Sequence, residues 1–260
     1  MKRRFFTILY CLCYIFSFSQ EETTSSSFSS VDVNYFTGNI ALHNNDILHL
    51  IQGHPEGVIL SWNQKTFGKK EWEQRFNYPD YGVSLIYQDL KNSVLGNNVS
   101  LYAHYNFYFL KRQLMFRIGQ GLAYNSNPYD KNENPKNIAF GTHILSSTYA
   151  MINYKKDRII DQFGLQAGLS LIHYSNANVK APNTSVNSIT FNIGLTYDLN
   201  DDSPEYIKTI TKEKFTQPIK YNLIFRTGIN ESDVVGSGQF PFYIFSAYVD
   251  KRWTRVSAFQ

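Results

Sequence analysis

From Gly57 onward the chain alternates apolar and polar residues in runs of roughly eight to fourteen, each closed by Asn, Gly, Asp or Pro. Period two over such lengths marks β-strands, whose successive side chains point to opposite faces. The pattern predicts strands near 57–67, 81–88, 98–109, 113–124, 139–154, 161–175, 187–198, 219–230 and 241–253. In 187–198, Ile189, Phe191, Ile193, Leu195 and Tyr197 share one face, and Ser188, Thr190, Asn192, Gly194 and Thr196 the other. In 98–109, Val99, Leu101, Ala103, Tyr105, Phe107 and Phe109 oppose Ser100, Tyr102, His104, Asn106 and Tyr108. Several of these strands exceed the globular mean of about five to six residues. They match the roughly nine to eleven residues that cross a bilayer at a tilt.

A soluble sandwich also alternates, but its outer face carries Lys, Glu and Thr. Here the second face holds mostly Ser, Thr, Asn, Gln, Gly and Tyr, which suits the interior of a barrel. Tyr and Phe gather at strand ends, as in Tyr105 to Phe109 and Phe240 to Tyr243, in the manner of an aromatic girdle. Lys and Arg gather in expected connections: Lys111-Arg112, Lys155-Lys156 and Lys212 to Lys214. The expected fold is therefore all-β, an antiparallel outer-membrane barrel of about eight or more strands. Composition agrees: aromatic residues make up 16% of the 260, with 19 Tyr and 20 Phe. A mean hydropathy of −0.33 excludes a bundle of membrane helices. The net charge of +4 comes from scattered Lys and Arg, not from a basic stripe, so no nucleic-acid partner is expected.

The N-terminus reads as an export signal. Lys2, Arg3 and Arg4 precede an apolar run from Phe5 to Phe18, with cleavage expected near Ser19. Both cysteines, Cys11 and Cys13, lie in that run, so the mature chain is expected to hold no disulfide. The expected organisation is a signal peptide over 1–19, a polar leader and arm over 20–56, and the barrel over 57–260. The arm carries His43, His49 and His54 near Asp46 and Glu56. Their spacing fits no helical His pair and no finger pattern, so no metal and no cofactor are expected. Lys65 to Arg75 reads as a charged interfacial turn. The chain ends at Gln260 in what reads as a strand still running, which suggests C-terminal truncation.

One short stretch carries chemistry: His173-Tyr174-Ser175-Asn176-Ala177, then Pro182-Asn183, then Asn187. Residues i and i+2 of a strand share a face about 6–7 Å apart, so His173 and Ser175 are neighbours suited to base and nucleophile. The connection 176–186 folds back, and the next strand returns Asn187 beside them, where its carboxamide oxygen can fix the imidazole tautomer. Parity then sets the side of the wall. His173 and Ser175 continue the series Phe163, Leu165, Ala167, Leu169, Leu171, and Asn187 continues Ile189, Phe191, Ile193. All three polar groups are thus expected on the apolar, lipid-facing side, where an enzyme with a lipid substrate has reason to place them.

HYSNA followed by PN resembles the signature of the outer-membrane lipid A 3-O-deacylase, or acyloxyacyl hydrolase-like, family, in the form of its larger Bacteroidetes members. WEQRFNYPDYG, NPYD and GQGLAYN support the likeness, which covers roughly residues 45 to 260. The resemblance implies a serine esterase that cuts an ester-linked acyl chain of lipid A or a related glycolipid. It implies the outer membrane of a Gram-negative bacterium as its place and lipopolysaccharide as its partner, with no cofactor. His173 matches the base and Ser175 the nucleophile. Asn176 and Asn183 match the asparagines that shape the oxyanion site and its loop, with backbone N–H groups near Ala177 and Asn178 contributing. Lys180 is placed to meet an anionic headgroup. The family's acid falls at Asn187, an asparagine, which can orient an imidazole but cannot balance its positive charge. Two other readings follow: a degenerate barrel that binds lipid A without cleaving it, and a non-enzymatic structural barrel or pore.

Overall fold

The computed structural model describes residues 27–42, 44–209, 217–252 and 258–259. The proposed signal peptide with Cys11 and Cys13, His43 and Lys212 to Lys214 lie outside the described residues. Eight strands close into one antiparallel barrel in chain order: β1 (Ser29–Ile40), β2 (Glu56–Gln64), β3 (Asp80–Asp89), β4 (Asn97–Phe109), β5 (Leu114–Asn125), β6 (Ile144–Ile160), β7 (Phe163–Ser175) and β8 (Val186–Asp198). Closure comes from β1, which pairs with both neighbours: Val31 lies opposite Trp62 of β2 and opposite Tyr197 of β8. A closed ring leaves no strand edge unpaired, the condition a sheet must meet to cross a bilayer.

The strands form where the alternation predicts, with two corrections. First, β1 comes from the segment read as part of a polar leader and arm. It alternates like the other strands, with Asp32 and Asn34 on the lumen face and Val33 and Tyr35 outward. The barrel therefore runs over 29–198 and not 57–260. Second, the strands expected over 219–230 and 241–253 do form, as β9 (Lys220–Glu231) and β10 (Gln239–Arg252). They pair with each other and with a short β11 (Ala258–Phe259) in a separate three-stranded sheet, not in the barrel wall. The connection 41–55 holds a 3₁₀ turn, Asn45–Leu50, whose Ile47 and Leu50 plug one end of the barrel. Lys65 to Arg75 contains a single helical turn, α1 (Glu71–Arg75). Lys155 and Lys156, expected in a connection, lie within the long β6, and Lys155 points inward.

The burial pattern is that of a soluble protein turned inside out. Leu101 is 61% exposed and Leu122 63%, while Arg117 is 1% exposed. Outward-facing apolar side chains stripe every barrel strand, and Ser, Asn, Thr and Gln line the lumen. At its centre Arg117 forks onto Asp32, with Nη2–Oδ2 2.7 Å and Nη1–Oδ1 3.2 Å. The same guanidinium donates to Asn106 Oδ1 (2.6 Å), Ser61 Oγ (2.6 Å) and Asn63 Oδ1 (2.9 Å). Fixed bidentate geometry of this kind is what makes Arg the residue for a desolvated ion pair. His104 bonds Asn63 and Ser84, and Ser84 reaches the Tyr149 hydroxyl. These groups, with Tyr102, Tyr174 and Phe36, fill the lumen as expected for eight strands.

Candidate active site on the outer wall

β7 and β8 meet in register so that His173 lies directly opposite Asn187. Both side chains project from the outer wall, half-buried, and His173 Nδ1 contacts Asn187 Oδ1 at 2.6 Å. A carboxamide oxygen only accepts, so Nδ1 carries the proton and Nε2 presents its lone pair. Ser175, two residues on, occupies the same face. The three groups predicted from parity are therefore brought together.

Ser175 and His173 are not hydrogen-bonded to each other. The Ser175 hydroxyl is held by the following loop: Asn183 Nδ2 lies at 2.9 Å, Asn183 Oδ1 at 3.2 Å, and the Ala177 N–H donates to it at 3.0 Å. Asn183 is the hub of this loop, since its Oδ1 also accepts the Asn176 N–H (2.9 Å) and its Nδ2 donates to Asn178 Oδ1 (2.6 Å). Asn176 points inward instead of toward a substrate. Its Nδ2 donates to the Lys180 and Pro182 carbonyls, and its Oδ1 is buried without a partner. Its side chain therefore braces the loop, and the donors left near Ser175 are backbone. Ala177 and Asn178 both adopt positive φ, 56° and 57°, and the Asn178 N–H has no hydrogen-bond partner among the described residues. Lys180 is exposed at the loop's crown.

The loop is clamped from two sides. Toward β6, Thr184 and Ser185 donate their N–H groups to the Ile138 and Ala139 carbonyls at 3.2 and 3.3 Å. From the other side the β9–β10 turn closes on it. The Glu231 carboxylate accepts from the Ala181 N–H (2.8 Å) and the Gly236 N–H (2.9 Å), and the Glu231 N–H donates to the Asn178 carbonyl (2.9 Å). Gln239 Nε2 donates to the Val179 carbonyl at 2.6 Å. These backbone donors, Ala181 first, hold the Glu231 carboxyl below its ordinary pKa, so it is ionised at neutral pH. Between the 3₁₀ turn, this loop and the β9–β10 turn lies an open cavity of about 1,150 Å³, lined in part by Asn45, Asp46, Asn183, Ser185 and Asp233.

Among the described residues of the 41–56 segment, His49 and His54 do not converge. His49 bonds the Asp46 carbonyl within its own turn, His54 bonds Asn39 and the Gly38 carbonyl, and Glu56 pairs with Tyr35 and Lys91. Among the described residues no group of three His, Cys, Asp or Glu is placed to hold a metal. Among the described residues no carboxylate bonds His173, and Asp161 sits in the turn before β7, at its far end.

Sequence reasoning missed one set of outward polar groups. Gln120 of β5 lies opposite Thr148 of β6, Thr148 opposite His173, and Ser146 opposite Ser175. The available signal was the break in parity: Gln120 interrupts Ile118, Leu122, Tyr124, and Ser146 and Thr148 interrupt Ile144, Ala150, Ile152.

Fold and site together define an eight-stranded, membrane-type barrel with an imidazole–carboxamide pair and a hydroxyl on its lipid-facing wall. Residues 56–196 match the family model described as lipid A 3-O-deacylase (PagL), which spans more than half of the chain. The protein belongs to that family. Among solved structures, the outer membrane enzyme PagL matches at 17% identity and a TM-score of 0.42, over 63% of this chain and 97% of that one. Neisserial surface protein A (NspA) matches at 14% identity and 0.36, over 66% and 97%. No curated protein sequence gave a significant match.

Proposed function

We propose that this protein is a serine esterase of the outer membrane that removes an ester-linked acyl chain from lipid A or a related glycolipid. The observation that carries the reading is the 2.6 Å bond from His173 to Asn187 on the lipid-facing wall, with Ser175 beside it. The substrate lies in the leaflet against the wall. Rotation about the Ser175 side-chain bond turns Oγ from Asn183 toward His173 Nε2, which takes its proton as Oγ attacks the ester carbonyl carbon. The oxyanion meets the Asn178 N–H and the Ala177 N–H that Ser175 releases as it turns. The intermediate collapses by breaking the bond to the lipid's alcohol oxygen, which leaves with the proton from His173. Water, deprotonated by His173, then hydrolyses the acyl-enzyme, freeing the fatty acid and restoring Ser175.

Mass spectrometry of lipid A from cells with and without the protein tests this directly. Native protein is expected to release one acyl chain, and Ser175→Ala to release it at least about 10⁴-fold more slowly. Equal release by native protein, Ser175→Ala and His173→Ala would overturn the assignment. A second reading is favoured by Asn187 standing where the family's acid is expected and by Asn183 holding the Ser175 hydroxyl: a barrel that binds lipid A without cleaving it. Saturable binding with no acyl product from native protein would establish that reading instead.

A further inference from the structure

The outer wall carries more polar surface than a serine, a base and its orienting group require. Gln120, Thr148 and Ser146 project outward on β5 and β6, adjoining His173 and Ser175 across the β6–β7 pairing. The Thr148 hydroxyl donates to Gln120 Oε1, and Gln120 Nε2 donates to Ser146 Oγ at 3.2 Å. Among the described residues, that leaves the second Nε2 hydrogen of Gln120 without a partner.

These groups do not mark the ordinary polar rim of a barrel. On β5 the position toward the rim is Leu122 and then Tyr124, and the position toward the barrel middle is Ile118, all exposed. On β6 the row lies between Ile144 on one side and Ala150 and Ile152 on the other. An amide and two hydroxyls bounded by apolar rows above and below are set in the hydrocarbon-facing band, where each group must find a partner. They satisfy one another only in part, and polar side chains at such depth mark a functional surface.

We propose that Gln120, with Thr148 and Ser146, forms a subsite that hydrogen-bonds a second polar group of the acylated substrate, an amide or hydroxyl near the scissile ester. The proposal rests on the esterase reading above. Neighbouring strands lie about 4.8 Å apart, so Gln120 stands roughly 10 Å across the wall from His173. The group it binds therefore lies about 5–10 Å from the ester carbonyl, a spacing suited to an adjacent acyl attachment on the same sugar. A plain fatty ester offers nothing there, so the row selects acylated sugars over simple lipid esters.

The test compares Gln120→Leu and Thr148→Val with native protein on two substrates, purified lipid A and a p-nitrophenyl fatty ester in the same detergent. Both substitutions put apolar side chains on the lipid face, where the barrel tolerates them, and heat-modifiable gel migration reports the folded barrel. We expect KM for lipid A to rise about tenfold, as for the loss of one or two neutral hydrogen bonds, with kcat held and the fatty ester unaffected. Unchanged KM for lipid A, or equal losses on both substrates, overturns the subsite. Lipid A binding to the same variants in a Ser175→Ala background keeps the two ideas separate. A tenfold loss of binding there supports the subsite even if native protein releases no fatty acid, and unchanged binding overturns it even if Ser175 proves to be the nucleophile.

Discussion

Two polar assemblies lie at membrane depth in this protein, one inside the wall and one outside it, and they are built to opposite standards. In the lumen, Arg117 makes five hydrogen bonds to Asp32, Asn106, Ser61 and Asn63, and is 1% exposed. On the outer wall, His173 has one partner, Ser175 shares a loop asparagine, and Gln120 keeps a donor unused. The Arg117 set is closed on itself, although Gln88 Oε1, Asn98 Nδ2 and Gln166 Oε1 elsewhere in the lumen have no partner among the described residues. The outer set leaves groups open toward the lipid, where a substrate can complete them. Polar groups left open on the apolar side of such a wall are the ones the proposed chemistry would use.

The sharpest way to break the comparison is to unbalance the inner set. Asp32→Ala strands the Arg117 guanidinium in the lumen. Removing one partner of a buried pair costs about 3–5 kcal/mol, a large part of the stability of a domain this size. Urea unfolding in lipid vesicles is expected to shift by that amount, while acyl release per folded molecule stays near the native rate. A stability unchanged within error would mean that the lumen network is dispensable. The outer set behaves in reverse. Asn187→Leu removes the group that fixes the His173 tautomer and is expected to lower kcat on the order of 10²-fold with unfolding unchanged. Asn187→Glu keeps an acceptor at the same place and adds a charge to balance the imidazolium, so its rate is expected to match or exceed the native one. A fall in rate with Glu would show that position 187 does not orient the base.

The same contrast explains what was legible in the sequence. Seven of the eight barrel strands announce themselves by alternation, because lipid on one side and a polar lumen on the other impose period two. β1 alternates as clearly, with Val31, Val33 and Tyr35 against Asp32 and Asn34, but His43, His49 and His54 follow it and make the whole stretch read as a polar arm. Alternation cannot tell a barrel strand from a hairpin strand outside the ring, so it predicts β9 and β10 but not their separate sheet. At the site, parity was enough for His173, Ser175 and Asn187, since cross-strand pairing follows from register. Asn176 shows the limit of that argument. Its inward turn is decided by the fold of the loop, which returns the Lys180 and Pro182 carbonyls to its amide. The Glu231 clamp lies about fifty residues away in the chain, and no local pattern links it to the loop it holds.

That clamp gives a smaller effect. Glu231→Ala frees the Ala181 and Gly236 N–H groups and loosens the loop that carries Asn178 and Asn183. The Ser175 hydroxyl then loses fixed placement, and kcat is expected to fall on the order of tenfold with KM nearly constant. The sign of the pH effect is set by the lowered carboxyl pKa. The clamp is complete above the ordinary glutamate value of about 4.5 and is lost as pH falls through the lower folded value. A kcat in Glu231→Ala equal to native would show that the hairpin merely rests on the loop.

The smallest effect is expected at the rim, where charge is paired but not buried. Lys91 bonds Glu56 at 2.5 Å and Asp89 at 2.9 Å, and these two carboxylates raise its pKa well above the usual lysine range. By distance alone the contacts rival those of Arg117 with Asp32. The Lys91 side chain, however, keeps about a third of its surface exposed (34%), against 1% for Arg117. Exposed pairs gain little because water solvates the separated charges almost as well as they solvate each other, and salt screens the remainder. Lys91→Ala is accordingly expected to leave both the urea midpoint and acyl release unchanged, in low salt as in high. A loss at low salt approaching that of Asp32→Ala would mean that the rim, not the lumen, carries the electrostatic stability of the barrel.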